Sequence, residues 1–444
     1  MKSLTQETIK YSHNETQKSL FSFGLMQVEV PEDHELVKME KEIDWEAMAE
    51  IVGKRYSGKT GRNSKSLRMM IGLEIAKRKY GLSDEAIVDQ LKVDMALKVF
   101  CGFNEWGHDL PEASSMSRFR ARLDEETLRQ LEEVNIRKMI RKAPRRNRYQ
   151  IITDSTCVEA NVTYPTDSKL LSKAYQNLSR AAERLREEGV DLLIRGKHTM
   201  KKTIRSFNLK RRKTQQEIVE MNKKLIRESK KMVHLLKENL HQAKEAVQTK
   251  VQATLNTAET ILAQQMEMIR TKTRRVKDRI VSFHEPKVRP IFRGKAGKQT
   301  EFGPKLALNV IGGGLVQTTR LSNDNFSDTE MVPNSLKINH HTFGRDPTEL
   351  IVDRGAHSPK NHELLNQKKI IDGIQYRGKI PKNATLPPPR TMKRMYRQRS
   401  TVEGKIGTFK TAYGGHRNQY KNKNAHVWIG FAFIAMNATW AAAR

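Results

Sequence analysis

Two aspartates stand where a strand does not normally spend them. Asp154 follows Ile151-Ile152-Thr153, and Asp353 follows Leu350-Ile351-Val352. A carboxylate at the end of a buried strand is costly unless it is paired, hydrogen-bonded or bound to a metal. If the two strands are neighbours, both acids reach the same edge of one sheet. Hard oxygen donors of this kind suit Mg²⁺ or Mn²⁺, which keep several waters and accept phosphate oxygens. Two such ions about 4 Å apart can activate an attacking oxygen and stabilise a leaving one in phosphodiester chemistry. A third carboxylate is wanted, and Glu403 offers itself. It is the only acid in a segment crowded with Lys393, Arg394, Arg397, Arg399, Lys405 and Lys410. At about 100° per residue, Tyr396, Arg399, Glu403 and Lys410 fall within an arc of roughly 60°. Such a face presents one carboxylate flanked by an aromatic and two cations, as DNA beside an active site requires. The bland alternative is an amphipathic surface helix with a chance Glu–Arg pair.

The elements that must carry these residues can be read from periodicity. Residues 1–43 have no strong period and form an N-terminal arm. From 44 to 145 the pattern is helical, with Leu67, Met70, Ile71 and Ile75 at helical spacing and Ser83 as an N-cap. The run Ser114 to Leu123 is a second capped helix with basic residues on one side. Two short helices around a turn fit a helix-turn-helix DNA module, and an ordinary helical bundle is the alternative. Tyr149 to Ala160 switches to a β-type run, followed by a turn at Tyr164 to Ser168. No proline occurs between Pro165 and Pro286. Within that stretch Ile218, Met221, Leu225, Met232, Leu236, Leu240, Ala243 and Val247 recur at helical spacing, so 169–281 is expected to be a basic helical insertion, an antiparallel hairpin. Strands resume with Lys305–Ile311, a Gly312-Gly313-Gly314 turn and Leu315–Arg320. A helix over 328–342, a strand ending at Asp353, another strand over 370–376 and a helix over 391–413 complete a mixed α/β layout interrupted after its first strand.

Charge gives the partner. The chain has 444 residues, 82 Lys+Arg against 50 Asp+Glu, and a formal net charge of +32. Residues 1–194 are nearly balanced, whereas 195–280 carry 23 basic and 8 acidic side chains and 281–444 carry 27 and 11. A generally adhesive protein would spread its charge; this distribution points to a built surface for a polyanion. Cys101 and Cys157 are too few for a disulfide framework, and the first 30 residues lack a signal-peptide core, so a reducing, cytoplasmic interior is expected. The apolar run Val427 to Met436 is too short to span a bilayer and reads as a buried closing helix holding Trp428 and Trp440, so no membrane is expected. Gly294-Lys295-Ala296-Gly297-Lys298 lacks P-loop spacing, so no nucleotide cofactor is expected. His340-His341 and His357-x4-His362 lack a zinc frame. Asp167 reads as a turn-capping residue rather than a ligand.

Tyr396-x2-Arg399-x3-Glu403-x6-Lys410 resembles the Y-x2-R-x3-E-x6-K signature of DDE transposases from bacterial insertion sequences. Asp154-Ser155-Thr156 with Tyr164 to Leu171 resembles that family's first-aspartate region, and Asp353-Arg354-Gly355 its second. Arg293-Gly294-Lys295 followed by Thr300 to Lys305 is similar to the stretch ahead of its second strand, and 60–125 to its N-terminal helical DNA-binding region. One departure is Ser358, where the family often has an aromatic three residues after the motif glycine. The resemblance implies an RNase H-like catalytic core, made of 146–168 and 282–444, behind an all-α N-terminal domain. Asp154, Asp353 and Glu403 would be both catalytic and metal-binding, with two Mg²⁺ or Mn²⁺ ions. Tyr396, Arg399, Lys410, Arg354, Lys295 and Lys305 would contact DNA. It further implies cleavage and strand transfer at terminal inverted repeats, double-stranded end and target DNA as partners, a homodimer or higher oligomer on DNA, and a nucleoid-associated bacterial protein. The rivals are an RNase H-like structure-specific nuclease without strand transfer and a non-catalytic basic DNA-binding protein.

Overall fold

A computed structural model describes residues 30–444 except 57–63, 104–109, 195, 274–275, 296–297, 383 and 422–423, together with the side chains of 293–299. Most of the expected N-terminal arm thus lies outside the described residues. The chain divides into two compact units, residues 1–161 with 304–444, and residues 162–303.

The first unit begins with helices α1 (Glu35–Glu42), α2 (Trp45–Gly53), α3 (Leu67–Tyr80), α4 (Asp84–Val93), α5 (Met95–Phe100), α6 (Ala113–Arg120) and α7 (Glu125–Met139). Asp44, Ser66, Ser83 and Asp124 each start a helix by accepting a hydrogen bond from a backbone N–H of its first turn. Helix α3 is buried on nearly every side, including Glu74, Lys77 and Arg78. The basic face expected around α6 is broken by one residue. Arg120 is buried, its guanidinium bonded to Glu74 at 2.7 Å and to Asp84 at 2.5 Å. It is an internal ion-pair partner and not a DNA-facing cation, because two acids 46 and 36 residues earlier in the chain, on α3 and α4, close over it.

Strands β1 (Gln150–Cys157) and β2 (Glu159–Ala160) follow. The second unit then holds α8 (Asp167–Glu187), α9 (Lys197–Leu209), α10 (Gln215–Asn239) and α11 (Glu245–Thr271), and a hairpin of β3 (Pro290–Lys295) and β4 (Lys298–Phe302). The expected two-helix hairpin is in fact a bundle, since α8 packs on both α10 and α11. Its own core contains Leu171, Leu178, Leu225, Leu236, Leu255 and Ile261. Asp167 sits in the first turn of α8, where Gln265 (2.9 Å) and Arg279 (2.7 Å) donate to its carboxylate.

Back in the first unit, β5 (Lys305–Ile311), β6 (Leu315–Ser322), β7 (Glu349–Val352) and β8 (Ile371–Ile374) join β1 in one sheet ordered β6-β5-β1-β7-β8. Strand β5 is antiparallel to both neighbours, whereas β1, β7 and β8 run parallel. Strand β9 (Arg417–Asn418) pairs with β2. The helices of this half are α12 (Met331–Phe343), α13 (Pro359–Gln367), α14 (Pro389–Gln398), α15 (Ser400–Ala412) and α16 (Ala425–Ala442). Helix α16 is long and apolar enough to cross a membrane by composition, yet 78% of it is buried in the fold. It closes the sheet. Asn437 accepts from the Val316 N–H at 2.7 Å and donates to the Val316 carbonyl at 2.8 Å, while Glu132 of α7 accepts from the Thr318 N–H at 2.8 Å. The outer edge of β6 is thereby covered rather than left open for pairing with another chain.

Candidate active site

Parallel pairing of β1 with β7 sets the site. The register runs Gln150 to Glu349, Ile151 to Leu350 and Ile152 to Ile351. Continued by two steps, it brings Asp154 level with Asp353. The Thr153 hydroxyl bonds Asn309 (2.7 Å) and Ser335 of α12 (3.1 Å). Asp154, one residue on, therefore belongs to the other face of the sheet. Both aspartates are half-buried. One oxygen of Asp154 accepts from the Ser155 N–H at 2.6 Å, and Asp353 caps the turn Arg354–Ala356 by accepting from the Gly355 N–H at 2.8 Å.

The third acid comes from a helix that the structure breaks in two. Arg399, between α14 and α15, keeps α-helical backbone angles, with its N–H bonding the Met395 carbonyl and its carbonyl accepting from the Val402 N–H three residues on. Across this junction Arg399 and Glu403 form an ion pair at 3.1 Å. Glu403 falls in the first turn of α15, where the helix dipole favours a negative charge. Helix α15 packs on β1 and β5 through buried Val402 and Phe409. Helix α14 is held by Arg394, which bonds Glu349 at 2.6 Å, and by Met395, which lies over β8 at Gly373. A Cβ on Gly373 would stand 2.6 Å from the Leu350 carbonyl oxygen of β7 as well as from the Met395 methyl, so a bare backbone is required there.

The structure places Asp154 in β1, Asp353 directly after the neighbouring strand β7, and Glu403 on helix α15, which packs against β1. Among the described residues no three His, Cys, Asp or Glu side chains already form a cluster able to hold a metal. The donor chemistry fits a divalent cation all the same: two carboxylates at strand ends, with an acid on the covering helix as a third. Of the other expected site residues, Arg354 is exposed in the turn after Asp353, Tyr396 is about one-third exposed, and Lys410 lies on α15. Burial, and then the negative charge of Asp372, raise the Tyr396 hydroxyl above its ordinary value. Lys295 ends β3 in the second unit, and its side chain lies outside the described residues. Lys305 is a correction. Its ammonium is buried, bonded to Asp328 at 2.8 Å and to the Phe326 carbonyl at 2.7 Å, so it is not placed to contact DNA.

Beyond Asp353, the histidines that sequence set aside as a metal site form a different device. His357 Nδ1 lies 2.8 Å from His362 Nε2, His362 bonds Asp372, and Tyr376 stacks on the His362 ring. They line a cavity of about 810 Å³. Burial, followed by the neighbouring His362, holds His357 below its ordinary value. Sequence reasoning passed over Asp328 and Asn361 near this turn. Asp328 was hidden because Ser327 and Glu330 around it form a helix-capping box, which reads only as a helix start.

The fold is a mixed α/β architecture around one five-stranded sheet. Residues 26–122 match the family model described as Transposase domain (DUF772), and residues 278–438 match that described as Transposase DDE domain. The uncharacterized protein ORF8 in the nfe locus of Rhizobium meliloti is 30% identical over 160 residues, which is 35% of this chain and 75% of that protein. No solved structure matches. The chain belongs to the DDE transposases of insertion sequences. It is an enzyme of DNA cleavage and strand transfer at terminal inverted repeats, in a family that works with divalent metal ions.

Proposed function

We propose that Asp154, Asp353 and Glu403 are the acids of this transposase and hold two Mg²⁺ or Mn²⁺ ions. The observation that supports this reading is the parallel pairing of β1 with β7, whose register, continued two residues beyond Ile152 and Ile351, would set Asp154 opposite Asp353. The strand order β6-β5-β1-β7-β8 supports an RNase H-like core built from 146–168 and 282–444. Bound divalent ions would supply Lewis-acid activation of the attacking oxygen and charge stabilisation of the leaving one. The protein's own part is positioning. The Gly355 N–H fixes one oxygen of Asp353. Arg399 pairs with Glu403 at 3.1 Å and would be free to meet a DNA phosphate if Glu403 held a divalent ion. Tyr396, Lys410 and Arg354 are read as contacts to the DNA backbone, with the exposed Tyr396 ring offering a base or sugar an apolar contact, and Lys295 of the second unit is read, separately, as a further DNA contact.

The helical region 44–145 is read as the DNA-binding domain preceded by the arm 1–43, and the insertion 169–281 as a surface that grips or pairs transposon ends. Two ends must be joined in one reaction, so a homodimer or higher oligomer on DNA is the working form. The test is cleavage and joining of the element's own terminal DNA with Mg²⁺. Asp154→Asn, Asp353→Asn and Glu403→Gln should each abolish cleavage while leaving end binding largely intact. Cutting at wild-type rate by any of the three removes that residue from the site.

A further inference from the structure

A fourth carboxylate closes on the turn that carries Asp353. The peptide Ser327-Asp328-Thr329-Glu330 forms a 3₁₀ turn that packs against the turn Arg354–Ala356. A Cβ added at Gly355 would lie 2.7 Å from Asp353 Oδ1 and 2.9 Å from Asp328 Oδ2. The two carboxylates therefore converge on one point from two sides, and only glycine leaves room for both. Two like charges so placed repel each other unless a cation compensates.

The fold supplies a partial compensation and a brace. Buried Lys305 holds Asp328 Oδ1 at 2.8 Å and is itself fixed by the Phe326 carbonyl at 2.7 Å and by the Phe326 ring, 4.5 Å from its ammonium. Asn361, 6% exposed, donates to the Thr329 carbonyl at 2.9 Å and to the Ala356 carbonyl at 2.8 Å, and so staples the two turns together. The Asp328 side chain stays 38% exposed, so its charge is felt on the open side of the turn.

We propose that Asp328, held by Lys305 and stapled through Asn361, is a positioning residue for Asp353. It fixes the Asp353 turn and adds a second negative charge beside it, which raises the affinity of that corner for a divalent cation. Lys305, which the sequence assigned to DNA, thereby acts through Asp328. The proposal rests on Asp353 being a metal-binding acid, and the experiment separates the two. Mn²⁺ binding would be measured from the electron-paramagnetic-resonance signal of the free ion, using the full chain on a duplex of its own terminal repeat.

Loss of a residue that orients a metal ligand typically weakens metal affinity about 10–100-fold. Asp328→Asn should show a loss of that size together with a lower melting temperature, because buried Lys305 loses its carboxylate partner, and its cleavage should return as Mn²⁺ is raised. Asn361→Ala should shift Mn²⁺ binding in the same direction and decides the matter if Asp328→Asn does not fold. Wild-type Mn²⁺ affinity in both variants, with affinity lost in Asp353→Asn, overturns the role of Asp328 and leaves that of Asp353. Wild-type affinity in Asp353→Asn as well overturns the metal-binding assignment and the proposal with it.

Discussion

Replacing Arg120 by methionine separates a structural cation from a DNA-binding one. Sequence placed this residue on the basic side of a helix in a DNA-binding region, whereas the structure buries it at 5% exposure between two acids. It bonds Glu74, which is wholly buried, at 2.7 Å, and both oxygens of Asp84 at 2.9 and 2.5 Å, with its guanidinium 4.3 Å from the Tyr420 ring. Burial works against the charge on Arg120, but the bonds to Asp84 and Glu74 hold it firmly protonated. Breaking a buried pair by removing one partner costs about 3–5 kcal/mol, because the other charge is left uncompensated. Arg120→Met leaves Glu74 with the Tyr420 hydroxyl, at 3.0 Å, as a donor.

A loss of about 3–5 kcal/mol is therefore expected at neutral pH, with most of it recovered in the double variant Arg120→Met/Glu74→Gln. Urea unfolding followed by Trp428 fluorescence reads the effect, since Arg78 of the same network stacks 3.6 Å from that ring. Acid should act similarly on the wild type. Burial pushes the Asp84 carboxyl up, but bonds from Arg120 and Lys77 outweigh it and hold it low. Its stabilising contribution is thus complete above about pH 4 and is lost as pH falls through the depressed folded value. Were Arg120 a phosphate contact instead, the variant would keep wild-type stability and its DNA binding would lose about one unit of salt slope. That result would refute the structural assignment.

Three further outcomes follow from the same geometry. Asn437→Ala strands the Val316 N–H and carbonyl in the interior, at about 1–3 kcal/mol for each group, and thermal unfolding should show the deficit. Burial pushes the Glu132 carboxyl up to about 8, against the opposing bonds from Thr318. Its contribution to stability therefore falls as pH rises from its unfolded value through 8, and Glu132→Gln should flatten the stability–pH curve over that range. Gly355→Ala forces a methyl between the Asp353 and Asp328 carboxylates, so cleavage should fall steeply while end-DNA binding in a mobility-shift assay stays near wild type.

Much of the site was legible because its signals are local. An aspartate after Ile151-Ile152-Thr153 or Leu350-Ile351-Val352 contradicts an apolar strand within a few residues, and the glycine turn at 312–314 fixes a hairpin. The missing parts depend on contacts between distant segments. Lys305 looks like a surface cation until Asp328 and Phe326 fold over it. Arg120 looks exposed until α3 and α4 deliver Glu74 and Asp84. Periodicity also runs smoothly through positions where the backbone bends. The apolar repeat crosses the turn Leu240–Gln242 between α10 and α11. Hydrophobic spacing records which side is buried, and one turn of 3₁₀ or bent helix leaves that record intact.

The central claim is that Asp353 touches the divalent ion. The most direct measurement replaces it by cysteine and compares cleavage of terminal-repeat DNA in Mg²⁺ and in Mn²⁺. A thiolate is a poor ligand for Mg²⁺ and a better one for the softer ion. Asp353→Cys should therefore be inactive in Mg²⁺ and regain cleavage in Mn²⁺. Loss in both metals with intact DNA binding would leave ligation undemonstrated for this residue, and equal activity in both would contradict the claim outright.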